Sequence, residues 1–295
     1  MPAPDGLLVV DKHAGPTSHD VVNRLRRLFA TKRVGHAGTL DPPATGILLV
    51  GLERATRILQ FLQALPKTYR AEVAFGTTTS TQDATGTVRE ERPCGFGLDD
   101  LRGAAATMVG DIRQVPPMVS AVRVGGERLY RAARRGEEVE RPARAVTVYA
   151  LDVARFDATA WEATLEVRCS SGTYVRTLAA DIGERLGCGA HLTALRRTSI
   201  GSLGEADAVT VAQLDGMEPD ARRAAVLSMR AALRDYESVT VAGEDLRAVG
   251  HGRSLGDPDP GGASGPPVAV LDPDGRLLAV YRRQGAGLRP AVVLL

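Results

Sequence analysis

The spacing of hydrophobic positions changes several times along the chain and predicts alternating strands and helices. Apolar runs at residues 7–11 and 47–50 predict buried strands, and alternation over residues 68–75 predicts a half-buried one. Between the first two strands, Thr17-Ser18 offers an N-cap to an amphipathic helix. The apolar positions of that helix are Val21, Val22, Leu25, Leu28 and Phe29.

The middle of the chain continues the same interleaving. Residues 98–109 predict a helix, and residues 161–169 predict a strand whose buried face is Trp161, Ala163, Leu165, Val167 and Cys169. A second amphipathic helix, which stops at Gly187, is predicted from Val175, Leu178, Ala179, Ile182 and Leu186. Because helices and strands interleave, the main body is predicted to be mixed α/β.

The composition shifts near residue 230. A Pro/Gly/Asp-rich loop at residues 257–267 precedes a predicted strand, turn and strand over residues 268–281. We therefore predict two domains, residues 1–228 and residues 229–295, of which the second is small and rich in β-strand.

Composition excludes several classes of protein. The chain has 295 residues, 44% hydrophobic and 24% charged, as in ordinary globular proteins. The three cysteines have no CxxC spacing, so neither a disulfide framework nor a zinc site is indicated. No apolar run approaches the roughly 20 residues that cross a bilayer, and no signal-peptide pattern begins the chain. We expect a cytoplasmic protein without metal or membrane contact.

Basic residues cluster although the net charge is only +2. Arginine is abundant, which a coding bias toward G and C explains, so only clustering is informative. One cluster is Arg24, Arg26, Arg27, Lys32 and Arg33. The other spans residues 123–144, with seven arginines and a short helix predicted at Leu129, Ala132 and Ala133.

The segment with the strongest chemical signal runs from Gly35 to Gly46. Pro42 and Pro43 stiffen the backbone beside Asp41, and His36 lies five residues earlier. A buried strand follows, so one carboxylate and one imidazole are held at the end of a sheet. The segment matches neither the dinucleotide-binding nor the Walker phosphate-binding pattern.

This segment closely resembles the signature of bacterial tRNA pseudouridine-55 synthases of the TruB type, and further motifs of that family follow in order over roughly residues 6–205. They are Asp11-Lys12 with Gly15, Thr17 and Ser18, then residues 67–70, 114–117, 120–122, Gly125 with 128–130, 171–176, 187–192 and 195–197. His13, Gln82 and Pro43 depart from the family's usual residues.

The resemblance implies a cofactor-free isomerase that converts uridine 55 of the tRNA T loop to pseudouridine. Asp41 matches the nucleophile, and attack at C6 of the base or at C1′ of the ribose stays open. The substrate-binding residues implied are Lys12, His36, Tyr69, Tyr174, Arg176 and Leu195. Tyr69 would stack on the flipped base, Arg176 would pair with Asp41, Leu195 would line the pocket, and His36 would contact the nucleotide. Without the motif, Tyr69 and Leu195 read as core residues and His36 as a histidine in a turn.

The resemblance also implies a pseudouridine synthase fold, with a central, largely antiparallel mixed sheet flanked by helices, and a C-terminal PUA-like RNA-binding domain. The expected partner is the T-arm stem-loop of tRNA, bound by a monomer through the basic clusters. Two other classes stay open. A glycoside or nucleoside hydrolase would release free uracil, and a non-catalytic RNA-binding or RNA-folding protein would bind without chemistry.

Overall fold

The computed structural model describes residues 3–117, 123–124, 127–128, 135, 139–256, 265–285 and 287–295. The chain forms two compact units. The first comprises Met1–Pro42, Gly46–Leu65 and Ile200–Leu295, and the second comprises Pro43–Thr45 and Pro66–Ser199. The predicted domain boundary after residue 228 falls inside the first unit, and it stays a prediction.

The elements are numbered in chain order among the described residues. The strands are β1 (Gly6–Lys12), β2 (Val34–Ala37), β3 (Thr45–Leu52), β4 (Lys67–Phe75), β5 (Thr77–Thr79), β6 (Val88–Glu91), β7 (Gly110–Gln114), β8 (Arg123–Val124), β9 (Glu127–Arg128), β10 (Arg144–Asp157), β11 (Glu162–Cys169), β12 (Ala190–Ile200), β13 (Leu203–Gly204), β14 (Val209–Thr210), β15 (Ser238–Thr240), β16 (Leu255–Gly256), β17 (Val268–Leu271), β18 (Leu277–Gln284) and β19 (Gly287–Val293). The α-helices are α1 (Ser18–Leu28), α2 (Leu59–Ala64), α3 (Leu98–Ala106), α4 (Val175–Arg185), α5 (Val211–Gly216), α6 (Pro219–Ala224), α7 (Met229–Ala232) and α8 (Gly243–Gly250), with 3₁₀ turns at Glu53–Arg57 and Glu205–Asp207.

In the first unit, the strands β14, β1, β3 and β2 lie side by side in that order. β1 pairs antiparallel with β3 and parallel with β14. Leu8 and Val10 pack with Val21 and Leu25 of α1 on one face of the sheet. The opposite face packs against other apolar side chains, so both faces are covered. This is why residues 7–10 and 47–50 are continuously apolar rather than alternating.

The C-terminal strands form a five-stranded sheet in the order β15, β17, β18, β19, β16. Ala269, Leu271 and Val280 of this sheet belong to the same buried cluster as Leu7 and Val9 of β1. The predicted β-rich C-terminal module is therefore present, and it shares a core with the N-terminal strand.

The second unit contains a sheet in the order β12, β4, β11, β10, β7. β11 pairs antiparallel with both β4 and β10. Its buried residues alternate as predicted, and they pack against Val175, Leu178 and Ile182 of α4. Trp161 precedes the strand and lies against the edge of this cluster, partly exposed.

The predicted mixed α/β class, with a mixed, largely antiparallel sheet flanked by helices and a C-terminal β-rich module, is confirmed. Thr17 caps α1 through a capping box with Asp20, and α4 ends before Gly187, whose φ is +80°. The helix predicted at Leu129, Ala132 and Ala133 and most of the predicted loop, residues 257–264, lie outside the described residues. Within the described part of the chain, no helix is both long and apolar enough to cross a membrane.

Candidate active site

Asp41 lies in the loop, residues 38–44, that joins β2 to β3. These two strands pair antiparallel, with His36 opposite Val50, so the loop is the tip of a hairpin. Gly38 and Gly46 bracket it with φ values of +79° and +97°, which side chains other than glycine disfavour. His36 therefore lies on a strand, and the interpretation of a histidine in a turn is wrong, because Gly35 and His36 continue the β2 pairing.

The backbone on both sides of Asp41 is held by the first unit. Ser18 Oγ donates to the Leu40 carbonyl at 3.1 Å and accepts from the Leu40 N–H at 2.9 Å. The Pro42 carbonyl accepts from Lys12 Nζ at 3.1 Å and from the Gly15 N–H at 2.9 Å. Both neighbours of Asp41 are therefore fixed, and its half-buried carboxylate starts from a defined backbone position.

Lys12 is 1% exposed, and its ammonium also donates to the His13 carbonyl at 2.9 Å. Because that contact uses the backbone, histidine at position 13 supplies the same acceptor as any other residue. The structure thus gives Lys12 a supporting contact to the Asp41 loop, and its predicted contact with substrate stays a prediction.

In the second unit, the start of α4 carries two predicted site residues. Tyr174 is the N-cap residue, and Arg176 is 5% exposed. Arg176 Nη1 donates to the Asp83 carboxylate at 3.1 Å and to the Thr81 carbonyl at 3.0 Å. The predicted pairing of Arg176 with Asp41 stays a prediction.

Asp83 is a functional candidate that the sequence analysis missed. Its carboxylate accepts from the hydroxyls of Thr81 and Thr85 at 2.7 and 2.6 Å, and from the Thr85 N–H at 3.0 Å. Burial opposes ionisation, but the hydrogen bonds from Thr85 and Thr81 and the charge of Arg176 together hold the pKa of Asp83 below its ordinary value. The neighbouring Gln82, which departs from the family pattern, accepts from the Thr177 hydroxyl at 3.1 Å. In the sequence, the pattern that could have indicated Asp83 is its position between Thr81 and Thr85, whose hydroxyls can donate to a carboxylate.

Tyr69 and Leu195 lie at the margin of the second unit's core. Tyr69 sits on β4 opposite Val167, and both Tyr69 and Leu195 pack, half-buried, against the apolar cluster below α4. The core interpretation and the pocket interpretation of these two residues are both compatible with half-burial, so their predicted roles stay predictions.

Lys67, two residues before Tyr69, is a buried cation and the first residue of the motif at residues 67–70, where no role was predicted for it. Burial, together with the nearby charge of Arg197, lowers the pKa of Lys67 to about 8. Arg197 is itself buried, so the second unit contains positive charge beneath the strand that carries Tyr69.

The predicted basic surface is only partly exposed. Arg24 donates to Asp215, and Arg26 donates to Asn23 and to the Val34 carbonyl, so both act within the fold. Arg27, Lys32 and Arg33 are exposed. Half of residues 123–144 lie outside the described residues. Among the described residues, no group of three or more His, Cys, Asp or Glu side chains is arranged to hold a metal ion.

Three family models together match residues 26–295. Residues 26–175 match the TruB family pseudouridylate synthase N-terminal domain. The chain belongs to this family. Residues 176–239 match the tRNA pseudouridylate synthase B C-terminal domain, and residues 236–295 match the C-terminal domain of tRNA pseudouridine synthase II. The resemblance stated from the motifs is therefore confirmed.

Relatives in the family are similar over their full length. A tRNA pseudouridine synthase B of Mycolicibacterium paratuberculosis is 44% identical over 295 residues, covering 99% of this chain and 98% of the relative. The Thermobifida fusca protein of the same name is 46% identical and covers 98% of both chains. Among solved structures, a chain of a Cbf5-Nop10-Gar1 complex has a TM-score of 0.76 at 28% identity, covering 98% of this chain and 85% of that one. A chain of an H/ACA RNP bound to a substrate RNA containing 2′-deoxyuridine has a TM-score of 0.75 at 26% identity, with the same coverage.

Proposed function

We propose that this protein is a tRNA pseudouridine synthase that isomerises uridine 55 in the T loop, with Asp41 as the nucleophile. The observation that carries the proposal is the fixed hairpin loop that holds Asp41 between two anchored neighbours. Full-length similarity to tRNA pseudouridine synthases B supports the substrate class.

The reaction requires a nucleophile and a pocket that fits the uridine. The N1–C1′ bond of uridine breaks, a C5–C1′ bond forms, C5 gives up a proton, and N1 gains one. The net change is an isomerisation that needs no electron acceptor. Carboxylates are established nucleophiles in covalent catalysis. Attack of Asp41 at C6 or at C1′ satisfies the same balance.

The remaining predicted residues supply binding. The reacting uridine has to leave the loop stack, and Tyr69 offers the aromatic face for the flipped base, beside Leu195 as apolar wall. We propose that Arg176, whose guanidinium Asp83 also binds, pairs with Asp41 and orients its carboxylate, while His36, Tyr174 and Lys12 contact the nucleotide.

Affinity for tRNA comes mainly from phosphate contacts of the basic clusters and of the C-terminal strands, which act as a PUA-like RNA-binding module.

We propose that the protein works as a monomer in the cytoplasm. Light scattering of the free protein and of its tRNA complex tests the stoichiometry.

The experiment incubates the purified protein, without added nucleotide or metal, with an unmodified T-arm stem-loop, and then maps pseudouridine in the product. We expect one pseudouridine at the loop position that corresponds to uridine 55. Free uracil in place of pseudouridine identifies a hydrolase instead. Tight, salt-sensitive binding with no product, on both the stem-loop and full-length tRNA, identifies an RNA-binding protein and overturns the proposal.

A further inference from the structure

Gln114 is a buried polar residue to which the reaction outlined above assigns no role. It is the last residue of β7, is 2% exposed, and lies 60 positions before Tyr174. Its side-chain amide meets the backbone of Tyr174 at two points. Oε1 accepts from the Tyr174 N–H at 2.9 Å, and Nε2 donates to the Tyr174 carbonyl at 3.3 Å.

These two hydrogen bonds provide partners for the backbone N–H and carbonyl of Tyr174 at the start of α4. The N–H groups at the beginning of an α-helix have no partner within the helix, and no side chain of the Tyr174 N-cap residue itself caps α4. The Tyr174 carbonyl already accepts the helical bond from the Leu178 N–H at 3.1 Å. Gln114 therefore satisfies the N–H and takes the second acceptor position of the carbonyl.

The contact fixes the start of α4, here called the Tyr174–Arg176 turn, which carries the predicted site residues Tyr174 and Arg176. The Tyr174 N–H can only donate and the carbonyl can only accept, so the amide of Gln114 has one orientation. Two residues later, Arg176 is held by Asp83, and the adjacent Thr177 is held by Gln82. Gln114 is thus the support of the Tyr174 backbone, independent of the contacts that hold Arg176.

We infer that Gln114 is a positioning residue for pseudouridine formation, which sets the Tyr174–Arg176 turn in the geometry that the flipped nucleotide needs. The inference rests on the proposed function. A positioning residue acts on the rate at which bound RNA reacts, because small displacements of a catalytic group cost large factors in rate. A residue that only stabilises the fold leaves that rate unchanged in the folded enzyme.

The test uses Gln114→Met, which keeps the length of the side chain and removes both hydrogen bonds. Gln60→Met is the matched control, because Gln60 is exposed and its amide also donates to a backbone carbonyl, that of Arg57. With enzyme in saturating excess over the T-arm stem-loop, we expect Gln114→Met to slow pseudouridine formation by on the order of 10- to 100-fold. The dissociation constant for the RNA should stay within about twofold, since phosphate contacts dominate affinity. Gln60→Met should match the wild type in both.

Amide hydrogen exchange gives a second readout that does not depend on the reaction. Exchange at the Tyr174 N–H should be faster in Gln114→Met than in the wild type and in Gln60→Met. If Gln114→Met does not fold, Gln114→Glu replaces it in the rate measurement, because it keeps the acceptor for the Tyr174 N–H and loses the donor when ionised.

The inference is overturned if the folded Gln114 variants form pseudouridine on bound RNA at the wild-type rate. It is also overturned if weaker RNA binding accounts for the whole loss of rate. The wild-type enzyme separates this failure from that of the proposed function. A wild type that forms no pseudouridine contradicts the proposed function and, with it, a role for Gln114 in the reaction. An active wild type beside an equally active Gln114 variant contradicts the role of Gln114 alone.

Discussion

The Asp41 loop and the Tyr174–Arg176 turn are both held by buried side chains, but their supports differ in chemistry. In the loop, Ser18 and Lys12 bind backbone groups of the residues beside Asp41. In the turn, Gln114 binds the backbone, while Asp83 binds the charged side chain of Arg176 directly. The contacts of Ser18 and Lys12 fix the backbone from which the Asp41 side chain extends. The contacts that hold the Tyr174–Arg176 turn include, in addition, an ion pair between Arg176 and Asp83. The two regions should therefore respond differently to substitution and to pH.

The largest expected effect on stability is that of Asp83→Ala. Removing one partner of a buried ion pair is strongly destabilising, so the free energy of unfolding should fall by about 3–5 kcal/mol. Urea unfolding followed by circular dichroism measures it. Asp99→Ala is the control, since Asp99 is an exposed carboxylate on α3. A stability equal to that of the wild type would show that the Arg176–Asp83 pair does not support the turn.

The same pair should give the turn support a pH dependence. The pKa of Asp83 is lowered in the folded protein from its ordinary value of 3.8. Its contribution to stability is therefore complete above the unfolded pKa and is lost as pH falls through the folded pKa. We expect the stability difference between the wild type and Asp83→Ala to shrink below pH 3.8, measured by urea unfolding at a series of acid pH values. A difference that stays constant over that range argues against an ionised pair.

Ser18→Ala should have a smaller effect, with little dependence on pH. The substitution leaves the buried N–H and carbonyl of Leu40 without the hydroxyl, which costs about 1–3 kcal/mol. The exposed Ser254 supplies the control variant Ser254→Ala. Unfolding at neutral and acid pH checks both parts of this prediction, and a Ser18→Ala effect that vanishes in acid contradicts it.

The last expected effect is confined to alkaline pH and concerns Lys67, whose charged form burial disfavours. The pKa of Lys67 falls from 10.5 to about 8 on folding, so the unfolded chain binds more protons between these values. This group therefore adds stability as pH rises from about 8, by at most about 1.4 kcal/mol per pH unit. Lys67→Met should remove this component from the pH dependence of unfolding. An unchanged slope above pH 8 in the variant contradicts the assignment.

Sequence patterns predicted the parts of the fold that depend on local spacing. The cap of α1 at Thr17, the two-sided burial of residues 7–10 and the end of α4 before Gly187 all follow from neighbouring residues. β2 was missed because its four residues include Gly35 and His36, which hide the strand pattern. The sharing of one core by Leu7 and Ala269 was also missed, because nothing local joins positions so far apart.

The site residues also differ in whether neighbouring or distant residues determine their positions. Asp41 stands out in the sequence because prolines and glycines constrain its own neighbours. Asp83 does not stand out in this way, and Gln114 appears only as the first residue of the motif at residues 114–117. Their roles could not be predicted, because their partners Arg176 and Tyr174 lie 93 and 60 residues away in the sequence.

The most direct test of the account compares Asp41→Asn with Asp99→Asn on the T-arm stem-loop, with enzyme in excess and pseudouridine mapped over time. Both variants lose one carboxylate, but Asp99 is exposed on α3. We predict that Asp41→Asn forms no pseudouridine but binds RNA within about twofold of the wild type, and that Asp99→Asn turns over normally. Pseudouridine formed by Asp41→Asn would contradict the assignment of Asp41 as the nucleophile.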